Sequence, residues 1–376
     1  MRILHVVENL DKGAVENWLV NIFLESKKVR PDWDWTFYCI LGRKGRLDER
    51  VIAAGGKIVY SPYWISDKFS FLKALRKTLK EGKFDIIHSH HDYLSGFYLC
   101  ATAGIDFKRR LLHIHNTDKG LPIGNERIQK LLLKPFRRLA IYFSDYIVGI
   151  SKDTLSEFTY NKGLKNKRCS VLYYGINLSP FKDTADRLSV CKEIGIPDDA
   201  KMLLFVGRMN TLKNPVFVID ILERLTEIRK DVYAVFIGKG EQEELVLQRT
   251  KEKGLQNKVR LMGWRDDTAI IMKAADVFVF PRFEYPKEGL GLVVVEAQAA
   301  GLPMALSNGI VPDAIEIPEL AFIIDLANNP EEWAKRINEV LTHGTSVNRT
   351  EAYHRMNNSK FEIRKATENF IALYES

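Results

Sequence analysis

The feature that most limits what this chain can fold into is an alternation that runs through it twice. Short apolar, β-branched runs recur with helical stretches between them. In the first half they are RILHVV, DWTFYCIL, KIVYSP, FDIIHSH, RLLHIHN and YIVGIS; in the second, KMLLFVG, VYAVFIG, KVRLMG, VFVFP, PMALS and AFIID. Runs this short and this continuously apolar suit strands buried on both faces of a parallel sheet. Stretches such as NPVFVIDILERLTEIRK and EEWAKRINEVL supply the crossover helices. The pattern predicts an α/β chain of two Rossmann-like, doubly wound domains. A length of 376 residues agrees, since one hydrophobic core seldom organises so many. Proline and polar residues interrupt both patterns between Tyr173 and Arg187, which divides the chain into residues 1–180 and 181–357. The closing stretch, 358–376, reads as a helix able to pack back onto the first domain. Ligands of open parallel sheets bind beyond the carboxyl ends of the strands, so two such sheets facing each other would enclose a cleft.

Composition excludes several classes. No apolar run approaches the length of a membrane span, and the amino terminus opens directly on a strand rather than on a secretory signal. The four cysteines, Cys39, Cys100, Cys169 and Cys191, form no CxxC pair and read as reduced thiols of a cytoplasmic protein. Net charge is +8, and residues 101–168 carry 14 Lys and Arg against 6 Asp and Glu, an excess equal to that of the whole chain. Within that segment ERIQKLLLKPFRRLAIYF mixes cations with an apolar stripe. It suits either peripheral contact with an anionic membrane or a core-packing helix with a solvated basic face. Nucleic acid is not an expected partner, for want of a reader motif or interleaved aromatics.

The residues just after each strand hold the candidate chemistry. In LLFVGRMNTLKNP, Arg208 and Lys213 follow a strand and precede a helix, a place that suits a diphosphate or, failing that, two solvated cations. Gly238 and Gly240 could let backbone approach a ligand, or form only a tight turn. Gly13 and Ala14 precede a helix whose amides could meet an anion. His88, His90, His91, His113 and His115 end two strands; they fit the lining of an acceptor pocket better than a metal site, because no HExxH or nearby cysteine accompanies them. Asp32 and Asp34 precede a strand and so lie at the wrong sheet edge for a metal-binding pair. Glu288 and Glu296 bracket EGLGLVVVE, with seven residues between them. Carboxylates accept from hydroxyls and amides donate to oxygens, so the stretch suits a polyhydroxylated ligand such as a nucleoside diphosphate sugar.

These residues resemble the retaining, nucleotide-sugar-dependent glycosyltransferases of the GT-B fold, family 4 (group 1), over nearly the whole chain. The E-x7-E of Glu288 and Glu296 is the most specific match. VGRMNTLKN, FIGKG, VRLMGWRDD, ADVFVFP and HIHN support it. The resemblance implies that Arg208 and Lys213 hold the diphosphate and stabilise leaving-group charge. It implies that Glu288 binds hydroxyls of the donor sugar and Glu296 those of the ribose. The amides of Gly289, Leu290, Gly291 and Leu292 would meet sugar and distal phosphate. His115 would line the reaction centre, and the Gly13–Ala14 loop would approach phosphate or acceptor. The base would lie near Gly238 and the turn Gly263, Trp264 and Arg265. The first domain would bind the acceptor and the second the donor, a UDP- or GDP-sugar, with no metal or other cofactor. The acceptor would be a glycan or lipid-linked glycan. Two departures stand out: Ala14 where many relatives have a second glycine, and Asn177 where an aspartate is usual. A nonenzymatic scaffold for another glycosyltransferase, or another GT-B enzyme such as a sugar-nucleotide epimerase, are the competing readings.

Overall fold

A computed structural model describes residues 1–11, 13–116 and 126–376, except for the side chains of 126–132. The chain divides into two compact units: Met1–Ile176 with Ile363–Ser376, and Asn177–Glu362.

Among the described residues the first unit holds seven parallel strands: β1 (Arg2–Val7), β2 (Asp34–Cys39), β3 (Lys57–Tyr60), β4 (Ile86–Ser89), β5 (Arg109–Ile114), β6 (Tyr146–Gly149) and β7 (Cys169–Val171). Their order across the sheet is β3-β2-β1-β4-β5-β6-β7. The second unit has six: β8 (Lys201–Val206), β9 (Val232–Ile237), β10 (Val259–Leu261), β11 (Val277–Phe280), β12 (Met304–Leu306) and β13 (Ala321–Ile323). They run β10-β9-β8-β11-β12-β13, again all parallel. Each sheet therefore reverses its winding beside its first strand, between β1 and β4 and between β8 and β11. Two mixed α/β units with this strand order are the doubly wound architecture expected from the alternation. Every run quoted above contains a strand, and among the described residues β7 is the one strand not anticipated.

Burial explains why the runs were legible. The central strands β4, β11 and β12 are buried along their whole length. Both sheet faces are covered, so alternation is lost and only apolar continuity remains. The closing helix, Ile363–Glu375, belongs to the first unit. It lies beside the helix Ala14–Val29 and buries Phe370, Ile371, Leu373 and Tyr374. Its entry is fixed by the Ile363 amide donating to the Ile176 carbonyl at 3.2 Å.

The basic helix Glu126–Phe143 does not present all its cations to solvent. Arg137 is buried, with its guanidinium 4.8, 5.3 and 4.7 Å from the ring centres of Tyr93, Phe158 and Tyr160. Lys134, Arg138, Leu139 and Tyr142 remain exposed. Among the described residues, no helix is long and apolar enough to cross a membrane.

Candidate functional site

In the second unit the loops after β8, β9, β10 and β11 carry the candidate donor residues. After β8 the backbone turns at Gly207, whose φ is +149°. Gly238, after β9, has a φ of +122° and donates to the Gly263 carbonyl at 2.7 Å. A Cβ on Gly238 would meet the Gly207 carbonyl oxygen at 2.0 Å. The three loops after β8, β9 and β10 are thus stacked backbone on backbone, at a spacing that only glycine permits there. This close approach, rather than a phosphate-binding fingerprint, accounts for the Gly238 position.

Arg208 is exposed and has no carboxylate partner among the described residues. The Thr211–Lys213 turn is closed by the Asn210 side chain, which accepts from the Lys213 amide at 2.9 Å. The Lys213 ammonium lies 5.3 Å from the centre of the Phe280 ring, at the end of β11. The helix Pro215–Ile228 then starts at Asn214, which offers no side-chain cap to its amides.

After β11 the chain runs to the helix Leu292–Ala299, whose first turn follows Gly291 at φ +79° and is likewise uncapped by a side chain. Leu290 is buried. Glu296 stands just over one turn inside this helix. It keeps a little exposed surface, yet desolvation pushes its carboxyl up to about 7, against the opposing pull of the Lys213 ammonium. Lys213 and Glu296, 83 positions apart in the sequence, are thereby brought within electrostatic reach. Glu288 sits in the loop. Its Oε2 accepts from the Nε of buried Arg282 at 2.6 Å, and its amide donates to the Gly309 carbonyl at 3.0 Å. Sequence reasoning missed Arg282, because a cation beside a proline in a loop carries no pattern.

The turn after β10 is different. Trp264 is largely exposed, whereas the Arg265 guanidinium is engaged by Asp267 at 2.5 Å and Glu193 at 2.6 Å. Those hydrogen bonds raise its pKa further above its ordinary value. Its side chain therefore braces the turn.

In the first unit His5, His88, His90, His113 and His115 gather on one face of the sheet at β1, β4 and β5, whereas His91 turns away and packs against Tyr98. His5, in register with His88, joins the cluster unannounced by its apolar run. His5 Nδ1 and His90 Nε2 are 3.0 Å apart, as are His90 Nδ1 and His115 Nε2. His115 Nδ1 bonds the Tyr174 hydroxyl, and His88 Nδ1 the Tyr374 hydroxyl at 2.6 Å. One proton per ring satisfies this chain if all bonds point the same way. Burial supports that neutral state: desolvation pushes His5 and His113 down to about 3 and His88 and His90 well below their usual range. Ring nitrogens of His5, His88 and His90 lie within 4.8 Å of one another, as do those of His90, His113 and His115. An ion at either trio would compete with hydrogen bonds that already use both nitrogens of His90. His115 is buried with both nitrogens engaged, so its contribution at a reaction centre would come through its backbone or ring. Gly13 and Ala14 open the helix Ala14–Val29, but the first turn holds its own carboxylate: a Cβ on Gly13 would meet Glu16 Oε2 at 2.0 Å. Asp32 and Asp34 are exposed at the start of β2.

Residues 187–361 match the family model of glycosyl transferases group 1, and residues 33–180 that of glycosyltransferase family 4. The chain belongs to the group 1 glycosyltransferases. This glycosyltransferase is 27% identical over 341 residues to EpsF of Bacillus subtilis, covering 89% of this chain and 86% of that one. It is 26% identical over 243 residues to the UDP-Gal:alpha-D-GlcNAc-diphosphoundecaprenol alpha-1,3-galactosyltransferase of Escherichia coli, covering 63% of this chain and 61% of the relative. Its fold matches that of Anabaena HepE in complex with UDP, with a TM-score of 0.82, 18% identity and full coverage of both chains. The HepE complex with UDP-glucose gives a TM-score of 0.80 at 19% identity, covering 100% and 99% of the two chains. The fold is that of the GT-B glycosyltransferases.

Proposed function

We propose that this glycosyltransferase is a retaining hexosyltransferase of surface polysaccharide or glycoconjugate synthesis. It takes a hexose from a nucleoside diphosphate sugar, binding the donor through its second unit (181–357) and a glycan or lipid-linked acceptor through its first (1–180). The observation that carries the reading is the gathering of Lys213 and Glu296 within electrostatic reach beside the switch point of β8 and β11. Cation, carboxylate and two uncapped helix starts there match the charges and hydroxyls of such a donor. HepE binds UDP and UDP-glucose on the same fold, and the Escherichia coli relative uses a diphosphate-linked lipid acceptor.

In this reading Arg208 and Lys213 balance the charge that develops on the leaving diphosphate, so no metal ion is required for that task. Amides of Gly289 to Leu292 meet the sugar and distal phosphate, Glu288 takes sugar hydroxyls, and Glu296 takes the ribose. The leaving phosphate accepts the acceptor's proton on the same face of the sugar, which retains configuration. Neither glutamate is a nucleophile. The exposed cations of the helix Glu126–Phe143 suit peripheral contact with the anionic cytoplasmic membrane face.

Thermal shift with UDP-, GDP- and ADP-sugars identifies the donor, because specific binding stabilises by mass action. Arg208→Ala and Lys213→Ala should each lower transfer by about a hundredfold or more while unfolding as the parent does. Normal turnover in both would overturn the assignment. Product NMR reads the anomeric configuration, and turnover unchanged in EDTA is the expected result for a metal-free reaction.

A further inference from the structure

We infer that Arg282 is a positioning residue for the donor sugar, acting through Glu288; the inference rests on the donor reading above. Arg282 is a nearly fully buried cation, 5% exposed, at the end of a strand where nothing in the sheet requires one. Burying a guanidinium costs several kcal/mol unless its donors are satisfied, so its partners show what it is for. Its Nε donates to Glu288 Oε2 at 2.6 Å, and one terminal nitrogen donates to the Phe283 carbonyl at 2.8 Å. Among the described residues Glu288 Oε1 has no hydrogen-bond partner, and the side chain is 24% exposed. The carboxylate is thus held by one oxygen and offers the other.

The surrounding backbone gives the clamp its second half. The Phe283 amide donates to the Leu212 carbonyl at 2.8 Å, inside the turn that carries Lys213. The Ser307 hydroxyl donates to the Arg282 carbonyl, and the Glu288 amide donates to Gly309. A Cβ on Gly309 would meet the Phe283 carbonyl oxygen at 2.4 Å, so three loops, after β8, β11 and β12, are fastened at Arg282 and Phe283. Through this junction the Glu288 carboxylate is held in register with the Lys213 turn. One contact reads the sugar and the other the diphosphate, and Arg282 fixes the distance between them. Preorganisation of this kind favours the sugar-bearing donor over the bare nucleotide and is realised in turnover.

The test compares UDP with UDP-glucose, and GDP with GDP-mannose, as thermal-shift ligands for the parent, Arg282→Lys, Arg282→Ala and Glu288→Gln. The parent should be stabilised more by one nucleotide sugar than by its diphosphate. Arg282→Lys should keep its affinity for the diphosphate within about threefold, lose the extra stabilisation from the sugar, and lower kcat by about 10- to 100-fold with acceptor KM unchanged. Adding Arg282→Lys to Glu288→Gln should cost less than a further twofold, because the two act as a unit. Arg282→Lys that keeps both the sugar-dependent shift and normal kcat overturns the inference, as does full additivity with Glu288→Gln. Should Arg282→Ala fail to fold, Arg282→Lys and the double variant still decide. If no nucleotide or nucleotide sugar shifts the parent, the donor reading fails and Arg282 loses its role with it.

Discussion

Glu296 answers to two opposing demands, a buried setting that disfavours its charge and a neighbouring ammonium that favours it. With a folded pKa of about 7 against an ordinary value of 4.5, the folded protein keeps a proton that the unfolded chain has already released between those two values. Its contribution to stability is therefore complete below pH 4.5 and is lost as pH rises through about 7. Glu296→Gln removes this dependence. Urea unfolding without ligand should show the variant gaining about 2 kcal/mol relative to the parent between mildly acidic and mildly basic pH. An identical pH dependence in both proteins would refute the raised pKa. The histidines make a second contrast. His90 uses both ring nitrogens, whereas neither nitrogen of His113 has a hydrogen-bond partner among the described residues. His90→Ala should cost about 3 kcal/mol, from a cavity and two broken bonds. His113→Phe removes buried polar atoms without partners and should cost under about 1 kcal/mol. Equal losses, read from denaturant midpoints, would refute the bonded chain. The two glutamates and the two cations stand out as candidates in the sequence because each pair forms a local motif. Arg282 and His5 do not, because each acquires its meaning from residues far along the chain.

At the scale of elements, apolar continuity located every strand except β7. Cys169–Val171 is only half-buried at the sheet edge, so its sequence lacks the unbroken apolar run that marks the centre. The helix Glu126–Phe143 shows what charge counting misses. Arg137 and Arg138 are indistinguishable in the sequence, yet one is enclosed by three rings and the other faces solvent. Arg137→Ala should lower stability by about 2 kcal/mol and Arg138→Ala by less than about 0.5 kcal/mol. Thermal unfolding of the pair decides it; equal shifts would mean that the aromatic enclosure contributes nothing.

For the whole molecule, the division at Ile176 and Ile363 makes the second unit continuous in sequence and the first discontinuous. Residues 177–362 expressed alone should unfold cooperatively and retain the nucleotide-dependent thermal shift. A chain ending at Glu362 lacks Phe370 and Tyr374, which pack against His88, at 5.8 and 5.7 Å between ring centres. That truncation should lower the first unfolding transition by more than about 5 kcal/mol, or abolish it, and leave the second in place. A first transition unchanged from that of the full chain would show that the closing helix is dispensable.

The same discontinuity orders events during synthesis. The first unit leaves the ribosome early, with its sheet complete but one aromatic face open. Its last helix is translated only after the entire second unit. The second unit, continuous in sequence, has every one of its strands as soon as it emerges. The helix that closes the histidine-lined core is thus made after every strand it covers.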